Sequence, residues 1–189
     1  MWLTQIPGCG EHSKTDCYAA GRKEKMKERY YVAYGLHMNS SIMGYRFPQA
    51  ERIGKCELMD YALRFRGRKD QAIVTIEPQQ GSRVPAMVWK IAESEEGTVD
   101  HYEGYPQVSQ KKEIQVTVNG KQLSASVYQI SPMYVLGVPT SEYFASIFEA
   151  YMAEGFDMNP LMSALNYSLN QIYPEENKTT EGMKLEGQV

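Results

Sequence analysis

The sequence has no long apolar run and little net charge, and both absences exclude whole classes of protein. No apolar run approaches the roughly 20 residues that a membrane-spanning helix requires, so we expect no membrane as a partner. The N-terminus lacks a basic segment followed by an apolar one, which argues against a signal peptide and favours the cytoplasm. The net charge is only −3, so nothing suggests that the protein binds nucleic acid or an anionic membrane surface.

Cysteine and histidine are also scarce, which limits metal and disulfide chemistry. The three cysteines are an odd number, which is typical of a reducing compartment rather than of a disulfide framework. Cys9, His12 and Cys17 lack paired C-x-x-C spacing and an obvious fourth ligand, so we predict no metal and no cofactor. The nucleophile and phosphate-binding motifs G-x-S-x-G, P-loop and G-x-G-x-x-G are absent. Carboxylate chemistry and recognition by the backbone remain.

The composition is that of one soluble globular domain with extensions. The chain has 189 residues, of which 42% are hydrophobic and 23% charged. We predict a poorly defined N-terminal extension over residues 1–28, which ends in a mixed-charge run, and a folded domain over residues 29–173. Residues 174–189 have almost nothing to bury and are predicted to be disordered. No feature of the sequence indicates an oligomeric state.

Several stretches in the first half of the chain have the composition of β-strands. Tyr30–Tyr34 is rich in aromatic and β-branched residues, and Tyr61–Arg66 alternates large apolar residues with small or basic ones. Ala72–Ile76 is a short apolar run, typical of a buried strand. In Val84–Ile91 the alternate large side chains should share one face of a strand. Those side chains are Met87, Trp89 and Ile91.

The clearest local signal is the dipeptide Asn119-Gly120 between two strand-like runs. A type I′ turn needs a positive φ at both central residues, which asparagine and glycine tolerate best. We therefore predict a hairpin that joins Glu113–Val118 to Lys121–Ile130. Strands with short connections, followed by helices, predict an α+β fold around a mostly antiparallel, curled sheet.

Capping residues predict three helices. They run from Asn39 or Ser40 to Arg46 with Pro48 as the stop, from Ser141 as cap to Glu154, and from Asn159-Pro160 to about Leu169. The second helix should end at Gly155 in the left-handed conformation. Its predicted apolar face consists of Phe144, Phe148, Tyr151 and Met152.

One carboxylate has an unusual setting. Glu103 ends a short acidic, helix-like segment and lies between Tyr102 and Gly104-Tyr105-Pro106. Two tyrosines and a proline can exclude water from a carboxyl group, and glycine lets backbone or substrate approach closely. This setting suits a general acid or base. The alternative is an ordinary solvated acidic residue before a turn.

A series of motifs resembles one known family. YVAYG at residues 31–35 is similar to the Y-F-A-Y-G-S-N motif of the gamma-glutamylcyclotransferase-like (AIG2-like) proteins. Further similarities follow in the same order along roughly residues 30–168. They are Ala72–Ile76, Pro85–Ile91, Tyr102–Pro106, Val127-Tyr128 and Gly137–Tyr143. Each motif alone is weak, but the ordered series is unlike chance, and it implies a small, curled, mostly antiparallel β-barrel with flanking helices.

The resemblance also implies an activity. In this family the α-amine of a γ-glutamyl group attacks its own side-chain amide carbonyl, which closes 5-oxoproline and releases the attached amine. The resemblance therefore implies an enzyme of the lyase or acyltransferase class that takes a small γ-glutamyl molecule as substrate. The implied reaction requires no metal, cofactor or covalent intermediate.

The resemblance assigns roles to particular residues. Glu103 matches the family's catalytic glutamate, which serves as general acid and base. Tyr34 and Gly35 match the start of the substrate-binding loop, and Leu36 and His37 are its later positions. Tyr128 and Tyr143 match tyrosines that line the cavity in relatives. Without the family, each of these two tyrosines could equally be a core residue with a satisfied hydroxyl group.

Two departures from the family leave a second function open. Leu36-His37 stands where relatives have Ser-Asn, and Ser109-Gln110-Lys111 stands where many bacterial relatives have Tyr-Arg-Lys. The catalytic glutamate is thus retained while polar groups near it have changed. This pattern fits an enzyme with a shifted substrate. It also fits a protein that binds a small molecule in the same cavity without converting it.

Overall fold

The computed structural model describes residues 28–174. Within that range the strands are β1 (Arg29–Ala33), β2 (Glu51–Arg68), β3 (Gln71–Ile91), β4 (Ser109–Val118), β5 (Lys121–Ile130) and β6 (Val135–Leu136). The helices are α1 (Ser40–Arg46), α2 (Glu96–Tyr102), α3 (Ser141–Glu154) and α4 (Asn159–Ile172). None of these helices is both long and apolar enough to cross a membrane.

Some sequence predictions concern segments outside the described residues. These are the N-terminal extension with most of its mixed-charge run, the candidate ligands Cys9, His12 and Cys17, and the whole tail after Pro174. The predicted domain boundaries therefore stay predictions.

One curled sheet forms the centre of the fold. Its strand order is β4-β5-β1-β3-β2-β6. The pairs are antiparallel except for β1 with β5, which run parallel with Tyr31 opposite Ser126. Across the curl, the Asn119 side chain of the β4–β5 turn donates a hydrogen bond to the Ile53 carbonyl of β2 over 3.3 Å. The predicted α+β fold with a curled, mostly antiparallel sheet is confirmed, as a half-barrel flanked by helices.

The β2–β3 hairpin is longer than the sequence predicts. β3 runs without interruption through residues 71–91, so the two predicted strands Ala72–Ile76 and Val84–Ile91 are one element. β2 begins at Glu51, and its first half is not predicted at all. A register shift at Met59/Tyr61 explains the misreading. Asp60 there has a φ of 62° and accepts a hydrogen bond from the Gly81 amide at 2.8 Å. Such a bulge interrupts the alternation of side chains without ending the strand.

The second half of β3 lies in the middle of the sheet. β1 pairs on one side of it and β2 on the other. All residues from Val84 to Trp89 are buried, so both faces of the strand are covered. Met87, Trp89 and Ile91 occupy alternate positions of this strand and are all buried, as predicted for side chains on one face. The sequence did not predict that Val84, Ala86 and Val88 on the other face would be buried as well.

The predicted hairpin turn is confirmed. Val118 pairs with Lys121, and between them Asn119 has a φ of 50° and Gly120 a φ of 76°. β4 extends further towards its N-terminus than predicted and begins at Ser109. This extension matters because it brings Ser109 and Lys111 to the candidate site.

The three predicted helices form, with some different caps and faces. The Asn39 side chain caps α1 by accepting the Ser41 and Ile42 amides at 2.8 and 3.2 Å. α3 is capped by Thr140, whose hydroxyl accepts the Tyr143 amide, and not by the predicted Ser141. In α4 the residue Asn159 lies inside the first turn, and Met158 takes the capping position.

The predicted apolar face of α3 is partly wrong. The helix buries Ile147, Ala150 and Tyr151, whereas Phe148 is 38% exposed and Met152 is 60% exposed. The buried surface of the helix includes Ile147 and not Phe148, and sequence spacing alone does not distinguish these two sides. Gly155 ends the helix with a φ of 63°, as predicted.

Candidate functional site

A cavity of about 180 Å³ opens where the chain leaves β1. There β1 ends at Ala33, and a short 3-10 turn at Leu36–Met38 leads into α1. The opposite wall comes from the end of α2 and the start of β4. All seven residues that the sequence assigns to the site line this cavity: Tyr34, Gly35, Leu36, His37, Glu103, Tyr128 and Tyr143.

Glu103 lies directly after the last residue of α2. Its amide still donates to the Val99 carbonyl at 2.9 Å, so the residue continues the helical hydrogen bonding. Gly104 then turns the chain with a φ of 69°, where a Cβ atom would lie 2.9 Å from the Val108 Cβ. The Ser109 hydroxyl donates to the Glu103 carbonyl at 2.6 Å and ties this turn to β4. The Glu103 carboxylate is consequently directed to the cavity, with its side chain 24% exposed.

Two side chains hold one oxygen of this carboxylate. The Tyr31 hydroxyl donates a hydrogen bond to Glu103 Oε1. His37 Nδ1 lies 3.0 Å from the same oxygen and 2.9 Å from the Tyr31 hydroxyl oxygen. No hydrogen bond to the second oxygen, Oε2, comes from any described residue. One half of the carboxylate is therefore restrained, and the other half is available to a ligand.

Arg46 determines which tautomer of His37 the site holds. The Arg46 NH1 group lies 2.8 Å from His37 Nε2. Because a guanidinium group only donates hydrogen bonds, Nε2 must be the acceptor. The ring proton is then on Nδ1, where it faces Glu103. Arg46, His37 and Glu103 thus form a line in which each group donates to the next.

Hydrogen bonds and a close approach to the sheet fix the loop between β1 and α1. The Trp89 indole donates to the His37 carbonyl at 2.9 Å, and the Met38 amide donates to the Gly35 carbonyl at 3.0 Å. At Gly35 a Cβ atom would lie 2.8 Å from Val74 Cγ1, so any larger residue would push the loop away from the sheet. Within the described chain, the amides of Gly35, Leu36 and His37 have no acceptor. Because the three residues line the cavity, these amides are candidate donors to a ligand.

The tyrosines of the site direct their hydroxyl groups to the protein. Tyr34 donates to the Tyr128 carbonyl, and Tyr128 donates to Asp100. The Tyr143 hydroxyl accepts the Val74 amide at 3.2 Å. Burial, followed by the nearby Glu103 charge, raises the pKa of Tyr31 well above its usual value. Burial likewise raises the pKa of Tyr143 to about 12. These rings form neutral walls of the cavity at physiological pH.

A cluster of charges behind Tyr128 attaches α2 to the sheet. Lys111 of β4 donates to Glu96 at 2.8 Å and to Asp100 at 2.9 Å, and both acids are on α2. Arg29 of β1 pairs with Glu96 as well. Burial alone would lower the pKa of Lys111, but its hydrogen bonds to the two carboxylates raise it. The cluster therefore sets the position of the helix that ends just before Glu103.

Several residues at the site receive no role of their own from the sequence. Tyr102, Ser109 and Lys111 enter the sequence analysis only as neighbours of Glu103 or as departures from the family, and Tyr31 and Arg46 are not assigned to the site. Tyr31 is visible as an aromatic residue in the strand before Gly35, but one strand does not reveal which face meets the cavity. Arg46 gives no sign, because its proximity to His37 depends on the turn between β1 and α1. Within residues 28–174, no three His, Cys, Asp or Glu side chains are grouped to hold a metal ion.

Comparison with known proteins supplies the family. Residues 31–144 match the sequence model of the family described as gamma-glutamyl cyclotransferase, AIG2-like. The chain belongs to this family. The match includes the loop after β1, Glu103 and Tyr143. A search of curated proteins finds no match.

Solved structures of similar fold include proteins named gamma-glutamyl cyclotransferases. A gamma-glutamyl cyclotransferase is 24% identical with a TM-score of 0.64, over 70% of this chain and 83% of the other. The human protein loc79017 gives 24% identity and a TM-score of 0.63 over the same shares, 70% and 83%. A yeast gamma-glutamyl cyclotransferase specific to glutathione gives 13% and 0.54, over 76% of this chain and 98% of the other. At these identities the likeness establishes the fold.

Proposed function

We propose that this protein is an enzyme that cyclises the γ-glutamyl group of an amide to 5-oxoproline and releases the amine. Glu103 is the general acid and base. The observation that carries the proposal is the position of the Glu103 carboxylate, which faces the Gly35–His37 loop across one small cavity. The family of the chain supports the same reaction.

The chemistry needs little more than this arrangement. The amine and the amide carbonyl belong to one molecule, so closing the five-membered ring requires mainly that the reactive conformer be held. Glu103 accepts a proton as the α-amine attacks the carbonyl carbon. It then gives the proton to the departing nitrogen as the amide C–N bond breaks. Glu103 Oε2 is suited to this task, because Tyr31 and His37 occupy only Oε1.

The backbone of the loop is suited to the charge that develops. When the amine attacks, the carbonyl oxygen becomes negative and is stabilised by donors that are already in place. The free amides of Gly35, Leu36 and His37 supply such donors. Trp89 prevents the loop from moving away, since it holds the His37 carbonyl. Tyr34, Tyr128 and Tyr143 shape the walls that select the compact conformer.

The test is release of 5-oxoproline from γ-glutamyl amides by the purified protein. Glu103→Gln should abolish release, because glutamine cannot accept the proton, and the variant should still fold because the side chain keeps its shape. Glu57→Gln is a matched control, since Glu57 is an exposed acid that pairs with Arg83 outside the cavity. Full activity of Glu103→Gln would overturn the proposal.

A binding protein is the second candidate. Leu36 brings an apolar side chain into the cavity, and two donors already occupy Glu103 Oε1. Oε1 therefore serves to fix the position of the carboxylate and is not available for proton transfer. If this reading is right, mass spectrometry of the purified protein should find one unchanged small molecule in stoichiometric amount. Release of 5-oxoproline would favour the enzyme.

A further inference from the structure

Arg46 is the only cationic side chain that lines the cavity of the described residues. It lies in the last turn of α1, and its guanidinium group is 4.5 Å above the centre of the Tyr102 ring. Its NH1 group donates to His37 Nε2 at 2.8 Å. The side chain is thus held at two points, so its remaining donors have a defined direction. The reaction proposed above makes no use of this charge.

Arg46 lacks an acidic partner. Among the residues that the structure describes, no carboxylate lies within 4.0 Å of its guanidinium group, whereas Arg29, Arg52, Arg66 and Arg83 each form an ion pair. A guanidinium group has five N–H donors, and only one of those of Arg46 is used on His37. A stacked, half-buried arginine with free donors at a cavity is suited to bind a carboxylate through two parallel hydrogen bonds.

We propose that Arg46 binds a carboxylate group of the ligand. This inference rests on the proposed γ-glutamyl ligand and adds the residue that recognises its negative charge. Arg46 and Glu103 contact opposite nitrogens of one imidazole ring, so a positive and a negative group of the protein are separated by the width of that ring. A γ-glutamyl ligand has the complementary pattern, with its ammonium group near Glu103 and a carboxylate a few bonds away.

Two carboxylates of such a ligand have this chemistry. One is the α-carboxylate of the glutamyl group, and the other belongs to the released group when that group is an amino acid. Three compounds separate them: γ-glutamyl-alanine has both, γ-glutamyl-ethylamine lacks the second, and 4-aminobutanoyl-alanine lacks the first. Each keeps the amine and the amide that react.

The experiment measures kcat/KM for ring closure with the three compounds, and their Kd by calorimetry, for the unaltered protein and for Arg46→Met. For the unaltered protein, a compound without the carboxylate that pairs with Arg46 should have a Kd about 10- to 100-fold higher and a kcat/KM lower by a similar factor. For Arg46→Met, the loss of that carboxylate from the compound should change both quantities little. Arg46→Lys should recover part of the difference, because it keeps the charge and loses the paired geometry. Arg83→Met is the matched control, since Arg83 pairs with Glu57 outside the cavity.

The results distinguish recognition from positioning. Suppose that the unaltered protein loses affinity only for γ-glutamyl-ethylamine and that Arg46→Met does not show this difference. Arg46 then binds the carboxylate of the released amino acid. The same pattern with 4-aminobutanoyl-alanine assigns Arg46 to the α-carboxylate. If Arg46→Met weakens binding of all three compounds by the same factor, Arg46 only orients His37. If it weakens binding of none of them, Arg46 has no role in recognition. Either result overturns the proposal. If the effects on Kd of removing the ligand carboxylate and of replacing Arg46 depend on each other, but no compound undergoes ring closure, this inference holds and the proposed reaction is overturned. Absence of both binding and ring closure would overturn both.

Discussion

Substitution of Lys111 by methionine tests how the sheet positions Glu103. The Lys111 ammonium group bridges Glu96 and Asp100 at 2.8 and 2.9 Å, and the Lys111 side chain is only 19% exposed. Both acids are on α2, the helix that ends where Glu103 begins. Methionine keeps the apolar length of lysine but removes the charge, so the two carboxylates lose their shared partner.

The expected cost follows from what each carboxylate retains. Removal of one partner from a fully buried ion pair costs about 3–5 kcal/mol. Here Glu96 and Asp100 are still 28% and 25% exposed, and each keeps another donor, Arg29 and Tyr128 respectively. We therefore expect Lys111→Met to lower the free energy of unfolding by about 2 kcal/mol. For a chain of this length that corresponds to a fall in Tm of about 4–8 °C.

Urea unfolding followed by circular dichroism measures this difference. Lys112→Met is the control, because Lys112 is the next residue in β4 and is exposed. The formation of 5-oxoproline should fall in Lys111→Met as well, since displacement of α2 displaces Glu103. If the two variants have the same stability within about 0.5 kcal/mol, the cluster does not anchor the helix and the reasoning is refuted.

Three further predictions concern backbone and burial. Gly120→Ala should lower the free energy of unfolding by about 1–2 kcal/mol, because Gly120 has a φ of 76°. Gly44→Ala in α1 should raise it by about 0.5–1 kcal/mol, because alanine favours the helix more than glycine does. Both sites have open space for a Cβ atom, and urea unfolding measures each effect. Gly35→Ala should reduce ring closure and stability because its Cβ would lie 2.8 Å from Val74 Cγ1, and Val74→Ala in the same chain should restore both. Absorbance at 295 nm during alkaline titration should show a group of tyrosines that ionises late. These are Tyr31, Tyr34, Tyr128, Tyr143 and Tyr151.

Each of these predictions has an opposite outcome that would contradict it. Equal effects of the two alanine substitutions would mean that φ at Gly120 is not decisive. A Gly35→Ala protein with unaltered ring closure would show that the loop tolerates displacement. The late tyrosines also predict the pH dependence of stability: their pKa values are raised on folding, so their contribution is complete below about pH 10 and is lost as pH rises above it. Stability that stays constant up to pH 12 would contradict the burial of their hydroxyl groups.

Local signals in the sequence predict their elements well. Asn119-Gly120 predicts its hairpin, Asn39 its helix cap and Gly155 its helix end, because each depends on φ, ψ and hydrogen bonds within a few residues. The extent of β2 and β3 is not predictable in this way. A bulge at Asp60 resets the alternation of side chains, and the sequence pattern then resembles the end of a strand.

The candidate site also has features that the sequence predicts and features that depend on the tertiary structure. The chain itself determines that Gly35 follows a strand, that Glu103 lies among aromatic residues before a glycine, and that a series of motifs surrounds them. Only the tertiary structure brings Tyr31 and His37 to Glu103, 72 and 66 positions away along the chain, and aligns Arg46 behind them. Such contacts depend on the strand order and on the curl of the sheet, which arise from packing of the whole core. A local pattern therefore identifies the residues, and the packing decides which of their atoms meet.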